Sequence, residues 1–456
     1  MSAAAVLDYT YHYPFASNVD QQPGGATGLS LATCDAQLKS PHFFEGKLLH
    51  PRETGDMLLV LSDVVRTHFF LPVPALLDPV VTSNERLLRF EGFSGCCGVY
   101  ARVDLKQDGF DADMVGRGTT NVDFNNPMRA ALSRLRDGED SRLSVGAEAF
   151  TLEHGGDSVV EKKVKLPVRW LKGFSEVQAY QPQLSLKIEV PGSEARRFIR
   201  TLPKAGAPKR PSYVVQTGKA LRLSQREARG SVQLLGTHRV RVLEPLMSGC
   251  KALRIWSDEG AGNSAWEVIT GAGAFFLMVS PEVYRGFSGE GQVLEQLATG
   301  KWEHALPAVQ AQLGWQSEID AEHIAEKTGF SMQEVEAALA ALGTRGLAGY
   351  DASAGAYFHR EMPFDLDLVD KMQPRLKGAN KLLADGKVKI VKRIGDGSTD
   401  LSVGGTGVDH YVRLRDADDE QDKCTCPWFS KYQGERGPCK HILAARMFVD
   451  GNNQAS

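Results

Sequence analysis

Hydrophobic positions along the chain follow two periods. Alternation of apolar and polar residues dominates residues 41–292, where it is clearest over residues 98–105. Short apolar runs at residues 57–61 and 87–90 read as further strands. The most apolar stretch, around residues 273–279, is far too short to cross a bilayer. Helical spacing replaces alternation at residues 128–135 and 194–202. Asn126 is placed to cap the first of these helices and Pro127 to take its first position. Residues 1–40, rich in Gly, Gln, Ser and Ala, carry little periodicity and read as an irregular lead-in. Helical connectors at residues 293–298 and 305–313 span the stretch 293–316.

A second pattern begins at residue 317. A helix over 321–327, a turn at Thr328–Gly329–Phe330 and a second helix over 332–342 follow in succession. Ser331 and Glu334 have capping-box spacing, and Val335, Leu339 and Leu342 make a core stripe. Two short strand-like runs, 346–350 and 356–360, flank a turn at 351–355. The whole, residues 317–365, resembles a winged helix-turn-helix. Its second helix offers Gln333, Glu334 and Glu336 and no cation, which opposes insertion into a major groove. His359, Arg360 and Glu361 read as solvated charges at a strand end. Residues 366–384, with Pro374 and Gly378 as breakers, read as a linker.

The last stretch, 385–456, carries the clearest chemistry. Cys424, Cys426, Cys439 and His441 form two pairs of identical spacing, Cys-x-Cys and Cys-x-His, with twelve residues between the pairs. Three thiolates and an imidazole suit a structural Zn²⁺ in a closed tetrahedron, which leaves no open coordination position. Gly434, Gly437 and Pro438 supply bends before the second pair. Strand-like segments at 387–394 and 409–414 precede the ligands, and a helix from residue 442 follows them. This arrangement resembles the SWIM zinc finger, whose modules are regarded as binding nucleic acid or protein. Together with the winged-helix pattern it also resembles bacterial SWIM proteins that occur beside a MoxR-type AAA+ ATPase and a von Willebrand factor A protein. The resemblance implies an adaptor role with such protein partners.

An internal echo marks the β-rich region. Residues 166–176 and 280–290 each carry Pro, an aromatic residue and then Gly-Phe-Ser, which points to two related units, 115–190 and 191–292. The expected fold is therefore α+β and multidomain: a β-rich region with an internal duplication, a winged helix and a zinc finger.

Charge changes the picture locally. The chain of 456 residues has a formal net charge of −3. Between residues 196 and 241, however, twelve cations face one acid, Glu227. Arg196, Arg197, Arg200, Lys209, Arg210, Arg222, Arg226 and Arg229 from this run, with Lys389, Lys392 and Arg393 near the zinc ligands, are candidates for contacting DNA, RNA or an acidic partner. Neutralisation by acidic neighbours in the fold is the alternative. Cys96 and Cys97 read as buried thiols, or as a metal or redox pair. No phosphate-binding loop, nucleophile elbow or His-Glu-x-x-His motif is present. An enzyme would need a site in the first half, where the polar turn 116–127 can be read either as a ligand loop or as a helix start. No leader or membrane span is expected, and the expected location is the cytoplasm. The leading expectation is a non-enzymatic zinc adaptor, with a nucleic-acid-binding protein as the alternative.

Overall fold

Pro51 opens the first helix, where its missing N–H leaves no bond unmade. The helix, Pro51–Arg66 (α1), absorbs the run expected as a strand at 57–61. Met57, Leu58, Val60, Leu61, Val64 and Val65 are all buried, and their spacing is helical once the window extends past Leu61. The computed structural model describes residues 18–21, 27–30, 42–69, 79–84, 86–147, 149–162, 166, 168–204, 210–258, 260, 262–281, 286–288, 291, 294, 302–362, 374–394, 397–405, 407–415, 422–434 and 437–454. Within the lead-in, Asn18–Gln21 (β1) pairs with Thr27–Ser30 (β2).

Three times the chain runs strand, helix, three antiparallel strands. The first pass is His42–Leu48 (β3), α1, Val80–Ser83 (β4), Leu87–Phe93 (β5) and Val99–Lys106 (β6). After Phe110–Val115 (β7), the second is Gly118–Asn121 (β8), Asn126–Arg134 (α2), Ser141–Gly146 (β9), Ala149–His154 (β10) and Asp157–Lys162 (β11). Helix Val168–Tyr180 (α3) leads to the third: Ser185–Pro191 (β12), Gly192–Thr201 (α4), then Ala252–Ser257 (β16), Ser264–Ile269 (β17) and Gly273–Val279 (β18). Between α4 and β16 sit a separate three-stranded sheet, Ser212–Thr217 (β13), Ala220–Ser224 (β14) and Val232–Leu234 (β15), and a short helix, Thr237–Val240 (α5).

The first two passes exchange their leading strands. β3 pairs with β9, and β8 pairs with β4. The result is a five-stranded sheet, β11-β10-β9-β3-β7, and an eight-stranded sheet, β12-β16-β17-β18-β6-β5-β4-β8. β18 joins the third pass to the first along β6, with Gly273 opposite Leu105 and Val279 opposite Val99. One apolar core runs from Phe43 to Phe287 and takes in Ala352 and Met362. These passes do not follow the expected boundaries 115–190 and 191–292. Of the echo, Gly173–Phe174–Ser175 lies inside α3, whereas Gly286–Ser288 is one 3₁₀ turn. What the two share is a destination, since Phe174 and Phe287 both pack edge-on against Phe93, at 4.9 and 6.3 Å between centroids.

A second core holds Trp302–Gln310 (α6), Ala321–Thr328 (α7), Met332–Thr344 (α8) and the hairpin Ala348–Asp351 (β19) with Ala356–His359 (β20). The Ser331–Glu334 capping box forms at the start of α8. The expected helix at 293–298 lies outside the described residues, apart from Leu294. A third core holds Pro374–Ala384 (α9), a four-stranded sheet of Val388–Arg393 (β21), Thr399–Gly404 (β22), Asp409–Leu414 (β23) and Lys423–Cys424 (β24), then Pro427–Tyr432 (α10) and Lys440–Gln454 (α11). Pro374 begins α9 and does not break it, and Gly378 lies within the helix, 3.2 Å (as a Cβ would sit) from the Lys440 side chain. β22 is one of the two inner strands of that sheet and falls where Gly and polar residues masked the alternation.

Charges buried on the eight-stranded sheet hold the β19–β20 hairpin. Arg89 and Arg102 both reach Asp351, at 2.5 and 2.7 Å, and both pair with Asp104, at 2.6 and 2.8 Å. Arg360 Nη1 donates to both carboxylate oxygens of Glu91 at 2.6 Å, and the Tyr100 hydroxyl donates to the same carboxylate at 2.7 Å. Arg89 lies over the Phe358 ring at 4.0 Å. Three arginines and three carboxylates thus balance in the interior, as buried charge requires. This overturns the reading of Arg360 as solvated: it is fully buried, and His359 is 4% exposed. Sequence spacing showed the strand end but not the acidic wall 269 positions away that receives it.

Candidate metal centre

Local structure brings the four ligands together from three elements. Cys424 ends β24, Cys426 is the N-cap of α10, and Cys439 and His441 bracket the first residue of α11. Gln433, Gly434 and Gly437 adopt left-handed backbone, with φ of 48°, 86° and 70°, and so turn the chain back between the pairs. The helix α10 between the pairs was not legible as such; its Pro427 at the first position is the only marker.

The ligand atoms of Cys424, Cys426, Cys439 and His441 lie within 4.8 Å of one another, and all four residues are buried. Backbone amides support the sulfurs: Cys426 N donates to Cys424 Sγ at 3.4 Å, Phe429 N to Cys426 Sγ at 3.4 Å and Ile442 N to Cys439 Sγ at 3.5 Å. Three thiols this close cannot all ionise unless a cation joins them. Donation toward Cys439, then burial, raises the Cys424 thiol well above its ordinary range. That same hydrogen bond from Cys424 brings Cys439 down to about 4. His441 Nε2 is buried without a protein partner. The donor set, its closure and its burial fit Zn²⁺, and among the described residues no other His/Cys/Asp/Glu group has this form. The His410 ring lies 4.4 Å from that of His441, and burial, then His441, pushes the His410 imidazole down.

The candidate cations separate by environment. Arg196 donates to the carbonyls of Met247 and Ser248 at 3.0 and 3.2 Å, and Arg197 pairs with Glu194 at 2.6 Å. Arg239 is fully buried, and Arg241 pairs with Glu244 at 2.9 Å. Arg200, Arg210, Arg222, Arg226 and Arg229 are exposed around the β13–β14–β15 sheet, and Lys389, Lys392 and Arg393 are exposed on β21. Lys209 lies outside the described residues.

Other candidate chemistry takes structural roles. Thr119 and Thr120 belong to β8, and Asn125, one residue before the expected cap, accepts from Met128 N at 3.1 Å. Cys96 and Cys97 are both buried, and burial pushes the Cys97 thiol up to about 12. Ser141 Oγ lies 2.9 Å from His154 Nδ1, and Glu139 lies 2.9 Å from His154 Nε2, the order of a nucleophile, base and orienting acid. Ser141 is fully buried as the register partner of His154, so its hydroxyl meets no substrate. Among the described residues no helix is long and apolar enough to cross a membrane.

A family model for the SWIM zinc finger matches residues 410–445, which contain all four ligands. Among curated proteins none matches the chain.

Proposed function

We propose that this protein is a non-enzymatic zinc-dependent adaptor that mediates protein–protein contacts. The observation that carries this reading is the docking of α8. Its C-terminal half packs on α3, where Ser175 Oγ donates to the Thr344 carbonyl at 3.4 Å and Gly343 lies against Gln178. That half of the helix is covered by protein and so is not available to a major groove. Its exposed start carries Gln333 and Glu336 and no cation. We read residues 317–365 as a winged helix used as a brace, and the three strand–helix–strand passes as the product of duplication. The zinc module then offers the contact surface: Val391 and Tyr411 on its sheet, and Val408 just before β23, are 56%, 61% and 66% exposed. The resemblance alone supplies the system, a MoxR-type AAA+ ATPase with a von Willebrand factor A protein. Co-elution of the full chain with such a partner tests the reading. Tyr411→Glu with Val408→Glu should abolish it, whereas charge reversal at Arg222, Arg226 and Arg229 should not. No co-elution at any salt concentration would end the reading.

A second reading, nucleic-acid binding, draws on the cations. Arg222, Arg226, Arg229, Lys389, Lys392 and Arg393 are exposed and make no ion pair among the described residues. Binding of DNA or RNA that weakens with salt, with a slope reduced by about one for each cation removed, would support it.

A further inference from the structure

One exposed cation of the basic segment, Arg229, lines a cavity. Between the three-stranded sheet and the facing ends of β16 and β17, at Ser257, Asp258 and Asn263, lies a space of about 700 Å³. Lys187, Tyr213, Arg229, Gln233, Asp258 and Asn263 line it. Tyr213 and Gln233 are register partners, and Arg222, opposite Val215, shares their face of the sheet. The segment that carries Arg226 and Arg229 forms one wall and turns at Gly230, φ 73°.

The opposite wall is built from buried polar groups. Asn263 N donates to Asp258 Oδ1 at 3.2 Å, and Asn263 Nδ2 donates to Asp258 Oδ2 at 2.6 Å. Asn263 is 1% exposed, and its amide oxygen accepts no hydrogen bond from the protein. An acceptor buried in this way is costly unless something donates to it.

The cavity is mixed in charge, with Lys187 and Arg229 set against Glu227 and Asp258. A bare anion therefore gains little there. A ligand that carries an anionic group at one end and N–H donors at the other satisfies both sets. A planar ring between them stacks on Tyr213. We propose that this cavity binds a nucleotide, its phosphate toward Arg229 and Lys187 and its base edge toward Asn263 and Asp258. Acceptors on the protein side favour bases with an exocyclic amino group, which carries two N–H donors, over uracil, whose edge offers N3–H alone. Two sources present this chemistry: a free nucleotide, or one residue of a single strand whose further phosphates run past Arg226 and Arg222. In the second form the site rests on the nucleic-acid reading above.

Titration calorimetry of the full chain with GMP, UMP, inorganic phosphate and a short single strand of alternating C and A tests this. GMP should bind and UMP should bind about tenfold more weakly, with no competition from phosphate. Tyr213→Ala and Arg229→Glu should each weaken GMP about tenfold, while Tyr213→Phe binds as the parent does. Arg229 is exposed, so its variant separates loss of binding from loss of fold. Binding of the strand alone, weakened by the same variants, assigns the site to one residue of a strand. Strand binding indifferent to Tyr213→Ala and Arg229→Glu overturns the cavity assignment and leaves the nucleic-acid reading standing. Equal binding of phosphate and GMP overturns base recognition. Binding of neither GMP nor the strand overturns both.

Discussion

Replacing Asp351 by alanine removes the carboxylate shared by Arg89 and Arg102. The interior then holds three guanidinium groups against two carboxylates, Glu91 and Asp104, all at most 4% exposed. Removing one partner of a buried pair costs about 3–5 kcal/mol, because the charge left behind is uncompensated. A typical domain has only about 5–15 kcal/mol of net stability. Asp351 belongs to the β19–β20 hairpin and the arginines to β5 and β6, so the loss falls on the docking of the hairpin. Urea midpoints measure the total, and hydrogen exchange across 348–359 measures where it falls. Exchange there should rise by about a hundredfold or more, ahead of any change in β17 and β18. Acidity should act in the same direction. Burial by itself would raise the Asp351 carboxyl, but Arg102 and then Arg89 override it and hold the group well below the ordinary carboxylate range. A folded value below the unfolded one means that this stability is present at neutral pH and lost as pH falls through the carboxylate range. A cost below about 1 kcal/mol for Asp351→Ala, with unchanged exchange, would refute the reasoning, since it would put this pair in the range of exposed ones.

Three further outcomes follow from the structure. Metal analysis should return about one zinc per chain, and Cys439→Ser or a chelator should raise exchange throughout β21–α11 while the core around Phe93 stays protected, since structural zinc contributes on the order of 10 kcal/mol to its module. His359 accepts from Trp315 N at 2.7 Å through Nδ1, and burial, then Arg117, lowers it to about 4. Because the unfolded state takes up the proton first, stability should fall between pH 6.5 and 4 by roughly 3 kcal/mol, and the slope of urea midpoint against pH should flatten in His359→Gln. Gly273 has φ 150°, and a Cβ there would lie 1.9 Å from the Asp104 carbonyl oxygen, so Gly273→Ala should cost on the order of 3 kcal/mol at the β6–β18 seam, seen as a lowered melting temperature.

Local signals carried this protein unevenly. The zinc ligands were legible because all four fall within eighteen positions and their chemistry depends on residue type and spacing alone. The helices α7 and α8 were legible too, since a capping box and a 3.6-residue stripe are both local. A five-residue window misread α1, and Gly-rich β22 carried too weak an alternation to show. Arg360 was misplaced for a different reason. Whether a charge at a strand end is solvated or buried depends on what faces it, and Glu91 is remote in sequence. The same holds for the cations of residues 196–241, which look uniform as letters. Tertiary structure divided them into those tied to carbonyls and carboxylates and those left exposed, with Arg229 at the edge of a cavity beside Tyr213 and Asn263. By itself the sequence determined a set of four residues fitted to a metal ion and a set of elements. Exchange of β3 and β8 between sheets, the buried ionic anchor of the hairpin and the cavity at the third sheet were decided only by tertiary contact, because each joins residues whose separation no periodicity encodes.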